Sequence, residues 1–205
     1  MCSIRTAESV CAGQPENLAD QIADEILDSL PYDDKAARVA VEVMAAGRRI
    51  IVTGEITTNH RPRIRESVRT ALARAGYSPL GILIYVWTRR QSSDINAGVT
   101  TSLEARGGDS SAFALQGAGD QGTVYGYATA ETPERLPLPL VLAHRICERL
   151  DTAQVEGTIC GIKSDGKAQV SVRYDDTGTP AAVETVVVSV QHEAGKDLAV
   201  LEREV

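Results

Sequence analysis

The chain has 205 residues, 43% of them hydrophobic and 24% charged, enough to bury a core in one large domain or two small ones without disulfide or metal staples. Its formal charge of −7 arises from 28 acidic against 21 basic residues, which argues against a non-specific nucleic-acid binder and against docking on an anionic membrane. The apolar share argues against a disordered chain.

The longest apolar run, Gly81 to Trp87, is too short to span a bilayer. The first residues have no apolar stretch of the kind that a secretory leader needs. Cys2, Cys11, Cys147 and Cys160 are scattered and read as reduced thiols of a cytoplasmic protein. His60, His144 and His192 are isolated, without zinc-site spacing.

Pro15 to Leu30 reads as a helix, with Leu18, Ile22, Ile26 and Leu30 at four-residue spacing and Asp20, Asp24 and Asp28 on another face. Arg38 to Met44 and Arg49 to Thr57 alternate as strands around a turn at Ala46-Gly47-Arg48. Glu42 and Glu55 thus lie in strands among apolar neighbours, and either one needs a cation if it is buried. Pro62 to Ala75 is a second helix ending at Gly76, and Gly81 to Thr88 is a buried strand. From Arg89 to about Leu115 no period persists, as in a functional lid or a disordered segment. Thr123 to Thr129 is strand-like. Pro137 to Leu150 is a helix, Gln169 to Tyr174 and Val183 to Val190 are strands joined by a hairpin at Asp175–Pro180, and residues 194–204 form a last short helix. The expected class is α+β, with residues 1–90 as one domain, 91–116 as a gating loop or linker and 117–205 as a second domain.

Gly117, Gly119 and Gly122 satisfy a GxGxxG pattern by letter. No strand leads in and no helix opens at the last glycine, so a dinucleotide site is rejected. What remains is a glycine-rich turn with Asp120 at its tip, either a tight turn or a ligand contact. There is no Walker loop, no kinase motif set and no nucleophile elbow.

The run Gly117-Ala-Gly-Asp-Gln-Gly-Thr-Val-Tyr-Gly-Tyr127 resembles the first signature of the S-adenosylmethionine synthetases (methionine adenosyltransferases). Glu8-Ser-Val, Pro15-Glu, Ala19-Asp-Gln-Ile-Ala-Asp24, Gly54-Glu-Ile-Thr-Thr58, Gln91-Ser-Ser-Asp-Ile-Asn96, Gly126 to Thr132, Ala143-His-Arg145, Asp165-Gly-Lys-Ala-Gln169, Tyr174-Asp-Asp176 and Ser189-Val-Gln-His192 resemble further family segments in the family's order. The resemblance implies repeated α+β units of antiparallel or mixed sheet covered by helices. It also implies transfer of the ATP adenosyl group to methionine, with Mg²⁺ and K⁺ as cofactors and tripolyphosphate cleaved to pyrophosphate and phosphate. By the same resemblance Lys167 is a phosphate contact, Asp165 a nucleoside contact, and Gly119 and Asp120 part of the ATP site. Asp120 also contacts substrate. Glu55 and Gln91 bind methionine, Glu42 holds potassium, and the residues from Gln91 onward form a lid longer than the family's.

Two departures stand out. The family's opening motif is Gly-His-Pro-Asp-Lys, where this chain has Gly13-Gln14-Pro15-Glu16-Asn17. Gln14 donates a hydrogen bond but is never a cation. Glu16 can still ligate Mg²⁺ from a shifted position. In an otherwise complete site the loss of the histidine predicts a drop on the order of 10²-fold or more. Family members also run longer, with a third segment that carries a second glycine-rich signature and several phosphate-binding cations. The resemblance therefore predicts one subunit of a heteromeric synthetase, whose homologous partner supplies the His-Pro-Asp-Lys motif and that segment. The alternative is a non-catalytic subunit that stabilises an active homologue. No nucleic-acid or membrane partner is expected.

Overall fold

The computed structural model describes residues 3–31, 34, 37–92, 100–116 and 122–205. The elements run β1 (Ser3–Val10), α1 (Pro15–Asp28), β2 (Arg38–Ala46), β3 (Arg49–Thr57), α2 (Ile64–Arg74), β4 (Leu83–Arg89), α3 (Leu103–Arg106), α4 (Ala112–Gln116), α5 (Leu138–Glu156), β5 (Ile162–Tyr174), β6 (Pro180–His192) and α6 (Leu198–Glu204). The protein is α+β, as the sequence implies. It forms two compact units, one from Met1–Leu18, Leu72–Pro79 and Gly126–Val205, the other from Ala19–Ala71 and Leu80–Tyr125.

In the first unit an antiparallel sheet runs in the order β1-β5-β6. Every second residue of β5, from Ile162 through Ala168, Val170 and Val172 to Tyr174, is buried. This period of two points those side chains at α5, whose Leu138, Leu142, Ala143 and Ile146 pack on Val170, Val172 and Tyr174. Cys11, Cys147, Leu150 and Ala168 extend that core, and Leu201 of α6 closes the far end against Ala153 and Ile162. The α5 C-cap is Gly157 at φ 70°, a left-handed residue that stops the helix.

In the second unit β2 pairs antiparallel with β3, and β3 pairs parallel with β4. Ile50, Val52 and Ile56 of β3 are buried, as are Ile22 and Ile26 of α1 and Ile64, Val68 and Ala71 of α2. The other sheet face carries Met44, Ile51, Leu83, Tyr85 and Trp87 together with Glu42, Glu55, Arg49 and Arg89, as the registers dictate. Trp87 is 65% exposed and its ring lies 6.1 Å from that of Tyr85.

Several elements differ from the sequence expectation. β1 was not expected, since its residues are polar and mostly exposed; it is an edge strand on β5. β5 begins at Ile162 rather than Gln169, because the polar stretch Lys163 to Lys167 is held by backbone bonds from residues 11 and 13. The aperiodic stretch holds two short helices, α3 and α4, the first capped by Ser102. Residues 123–129 are not a strand: Val124 and Tyr125 stand 95% and 90% exposed, so no burial holds the segment extended.

Candidate functional site

In the first unit the site begins with the turn from Cys11 to Gln14 that joins β1 to α1. Its backbone is anchored on β5, with Cys11 N–H donating to Gly166 O at 2.8 Å and Gly13 N–H donating to Ser164 O at 3.1 Å. Only glycine fits position 13, because a Cβ there would lie 2.7 Å from the Ser164 carbonyl. The Tyr77 hydroxyl donates to Gly13 O at 2.6 Å, and Ala12 N–H donates to the Asp151 carboxylate at 3.1 and 3.3 Å.

This turn brings four of the sequence-predicted residues into one neighbourhood. Gln14 precedes Pro15 and caps α1: its Oε1 accepts from Glu16 N–H and Asn17 N–H, both at 2.9 Å. The side chain that replaces the motif histidine therefore occupies two of the helix's free N–H groups, the groups that otherwise favour an anion. Among the described residues its amide nitrogen has no hydrogen-bond partner. Asn17 Nδ2 turns back to Cys11 O at 3.1 Å, so the residue at the motif's lysine position is engaged in local structure.

Lys167 on β5 donates to Glu8 of β1 at 2.9 Å, a cross-strand pair in which both side chains are about half exposed. The Glu8 hydrogen bond and charge, with a smaller contribution from Glu16, hold the Lys167 ammonium above the ordinary lysine range. Glu8 in turn is held below the ordinary carboxylate range by Lys167. Asp165 lies near Tyr77: burial and then the Asp165 charge push the Tyr77 hydroxyl up.

In the second unit Glu55 and Gln91 line one cavity of about 320 Å³ with Leu27, Ala37, Arg38, Val39 and Ala40. That volume and its apolar walls suit a small amphipathic ligand. The Glu55 side chain is 17% exposed and accepts from Arg89 Nε at 3.2 Å. The cation that a buried carboxylate needs is therefore present, on a side chain 81% exposed. Gly54 at φ +123° lets β3 approach β2 beside Glu55; a Cβ there would lie 2.9 Å from Val41 Cα. Gln91 N–H donates to Thr57 Oγ1 at 3.2 Å. Glu42 is exposed on the outer sheet face, opposite Thr53.

Gly119 and Asp120 lie outside the described residues, as does the lid from residue 93 to 99. Among the described residues no three His, Cys, Asp or Glu side chains gather closely enough to hold an ion. Glu16, exposed in the first turn of α1, fits Mg²⁺ as one carboxylate of the kind that shares the ion with substrate phosphates. Glu42 is a single exposed carboxylate, one oxygen donor where a K⁺ site would need several. Sequence reasoning assigned no role to Glu8, Tyr77 or Asp151. Glu8 stands in a polar edge strand that gives no hydrophobic alternation. Nothing local marks the other two.

Two family models match the chain: the N-terminal domain of S-adenosylmethionine synthetase over residues 3–93 and its central domain over residues 115–205. An S-adenosylmethionine synthase of Corynebacterium urealyticum is 43% identical over 196 residues, 92% of this chain and 49% of the relative. One from Parafrankia sp. is 42% identical over 207 residues, covering 96% and 51%. One from Desulforudis audaxviator is 43% identical over 203 residues, again covering 96% and 51%. The chain thus spans about half the length of the curated relatives it matches.

Proposed function

The chain belongs to the S-adenosylmethionine synthetase family, and from that premise we propose that it is a subunit of a methionine adenosyltransferase that works with a homologous partner. In this reading ATP and methionine are the substrates. The methionine sulfur attacks C5′ of the ribose, the C5′–O bond breaks, and its electron pair leaves on the tripolyphosphate. A thioether has no proton to lose, so no base is needed for this step; rate comes from in-line positioning and from cations around the leaving group. Water then cleaves tripolyphosphate to pyrophosphate and phosphate.

The residues divide the work between the two units. Lys167 binds a phosphate oxygen after releasing Glu8. Asp165 contacts the nucleoside, while Gly119 and Asp120 contribute to the ATP site and Asp120 also touches substrate. Glu16 would hold Mg²⁺ and Glu42 would be one ligand for K⁺; Mg²⁺, when bound, would supply positive charge for the leaving group. Glu55 holds the methionine ammonium in exchange for Arg89. Gln91 and the apolar walls of the cavity hold the rest of the amino acid.

The observation that carries this reading furthest is the meeting of Glu55 and Gln91, 36 positions apart in the chain, in one cavity of amino-acid size. The partner is argued from Gln14. Its carbonyl is engaged at the α1 N-terminus, and it provides no charge where the family's histidine and lysine would provide two cations. A homologue with an intact His-Pro-Asp-Lys motif supplies what is missing. The outer face of the β2-β3-β4 sheet supports assembly, because contiguous exposed apolar side chains of this kind mark interaction surfaces. The cap on α1 also fits the second reading, a subunit that stabilises an active homologue without doing chemistry.

The two readings separate in an assembled complex with a homologous synthetase. Gln91→Ala lowers turnover and raises the KM for methionine if this chain builds a working site. Unchanged kinetics in that variant favour the stabilising role.

A further inference from the structure

We propose that Asp151 and Tyr77 are positioning residues that hold the β1–α1 turn, and through it the Gln14 amide and the Glu16 carboxylate, beside Lys167. The inference rests on the functional reading above and extends it to two residues with no expected contact to substrate.

The turn is gripped from three sides. β5 takes the Cys11 and Gly13 N–H groups through Gly166 O and Ser164 O. Asp151, from the C-terminal third of α5, takes the Ala12 N–H on both of its oxygens. Tyr77, three residues beyond the end of α2, donates its hydroxyl to Gly13 O at 2.6 Å. One side chain thus holds the peptide that enters residue 12 and another the peptide that leaves residue 13, while Ser164 O holds the Gly13 N–H of the peptide between them. Position 14 follows directly, and its Oε1 starts α1.

Fold maintenance alone does not require these two bonds. The β1 ladder runs through eight residue pairs from Ser3↔Tyr174 to Val10↔Lys167, and the α5 core holds that sheet independently. Asp151 is half-buried where it meets a backbone N–H and the Cys11 thiol, and burial raises its carboxyl above the ordinary aspartate range. The Ala12 hydrogen bonds offset part of the desolvation of that carboxylate. Its return lies in where it places the turn: a displacement of about 1 Å at a site of this kind costs on the order of 10²-fold in rate.

The test uses the 205-residue chain and its Asp151→Ala, Asp151→Asn and Tyr77→Phe variants, with Leu201→Ala as a destabilised control remote from the turn. MgATP affinity is read by calorimetry, and exchange of the Ala12 and Gln14 amides by NMR. Asp151→Ala is expected to speed Ala12 exchange at least tenfold and to weaken MgATP about tenfold. Asp151→Asn keeps an acceptor on the Ala12 N–H and is expected to stay near wild type in both. Tyr77→Phe should weaken MgATP without loss of fold, and Leu201→Ala should lower the unfolding midpoint and leave MgATP affinity alone. The proposal is overturned if Asp151→Ala binds as wild type does, if Asp151→Asn behaves like Asp151→Ala, or if Leu201→Ala weakens binding equally. Failure of the wild-type chain to bind MgATP even with a homologous synthetase present would instead sink the functional reading. The turn assignment would then rest on exchange, and unchanged Ala12 protection in Asp151→Ala would overturn it.

Discussion

Gln14 shows how one side chain changes what a motif can do. Histidine at this position could charge; glutamine caps. Because its Oε1 holds the N–H groups of Glu16 and Asn17, Gln14→Ala is expected to lower unfolding free energy by about 0.5–2 kcal/mol, read from the denaturant midpoint. Lys167 gives a prediction with two signs. In the proposed site Glu8 and MgATP would compete for the same ammonium, so Glu8→Gln should tighten MgATP binding and Lys167→Ala should weaken it. The salt dependence of binding should shrink in Lys167→Ala, since a charge contact is gone. If Glu8→Gln weakens binding instead, Glu8 is part of the site and not a competitor. Lys167 stands out in the sequence because its run resembles a family motif, and Gln14 and Glu16 stand out because theirs departs from one. The Glu8–Lys167 pair does not, because 159 positions separate its partners and only the β1–β5 register brings them together.

At the scale of elements, the loop before α5 is tied to both neighbouring strands through Glu131. That carboxylate accepts from the Tyr174 hydroxyl at 2.6 Å, from Leu138 N–H at 3.1 Å and from Thr129 Oγ1 at 3.2 Å, and pairs with Arg5 at 3.4 Å. The Arg5 guanidinium also stacks 4.1 Å over the Tyr174 ring. Burial alone would raise the Glu131 carboxyl, but these donors, Tyr174 first, hold it below the ordinary range. The unfolded chain therefore binds its proton more readily than the folded one, and stability falls as pH drops from about 4.3 through the lower folded value. The Tyr174 hydroxyl is pushed up to about 12, by burial first and then by Glu131. There the folded chain keeps its proton longer, so stability is full below about 10 and falls as pH rises toward that value. Glu131→Gln places an amide before donors; a loss of about 1.5–3 kcal/mol and a flatter acid limb are expected from urea midpoints between pH 3 and 7.

Gly13→Ala tests the adjoining contact between the turn and β5. With a Cβ 2.7 Å from the Ser164 carbonyl, overpacking should cost about 1–3 kcal/mol; an unchanged midpoint would mean the turn does not depend on that approach. The helices α1, α2 and α5 and the strands β2 to β4 were readable from period and punctuation. β1 and the first half of β5 were not. Their signal is a polar edge strand and a small-residue stretch that docks a turn, and neither produces hydrophobic alternation.

At the scale of the whole molecule, the halves of the sequence and the compact units do not coincide. The N-terminal strand belongs to the sheet of the C-terminal half, a pairing that no local pattern encodes. The two site regions follow this division: the turn with Lys167 in one unit, the Glu55–Gln91 cavity in the other. Across the outer sheet face of the second unit, Met44, Leu83 and Trp87 are at least half exposed. Trp87→Asp should therefore weaken assembly with a homologous synthetase by tenfold or more, as for an aromatic anchor at an interface. Sedimentation of the mixture reads that change directly, and equal assembly by both chains would move the interface elsewhere.

We propose that this chain builds half of a working adenosyl-transfer site and that a homologue supplies the remainder. The direct measurement is S-adenosylmethionine formation from ATP and methionine by the purified chain, by a partner synthetase with an intact His-Pro-Asp-Lys motif, and by their complex, each with and without Lys167→Ala. Negligible product is expected from the chain alone, and turnover by the complex should fall when Lys167 is replaced. Full turnover by the chain alone, or a complex indifferent to Lys167, would contradict the proposal.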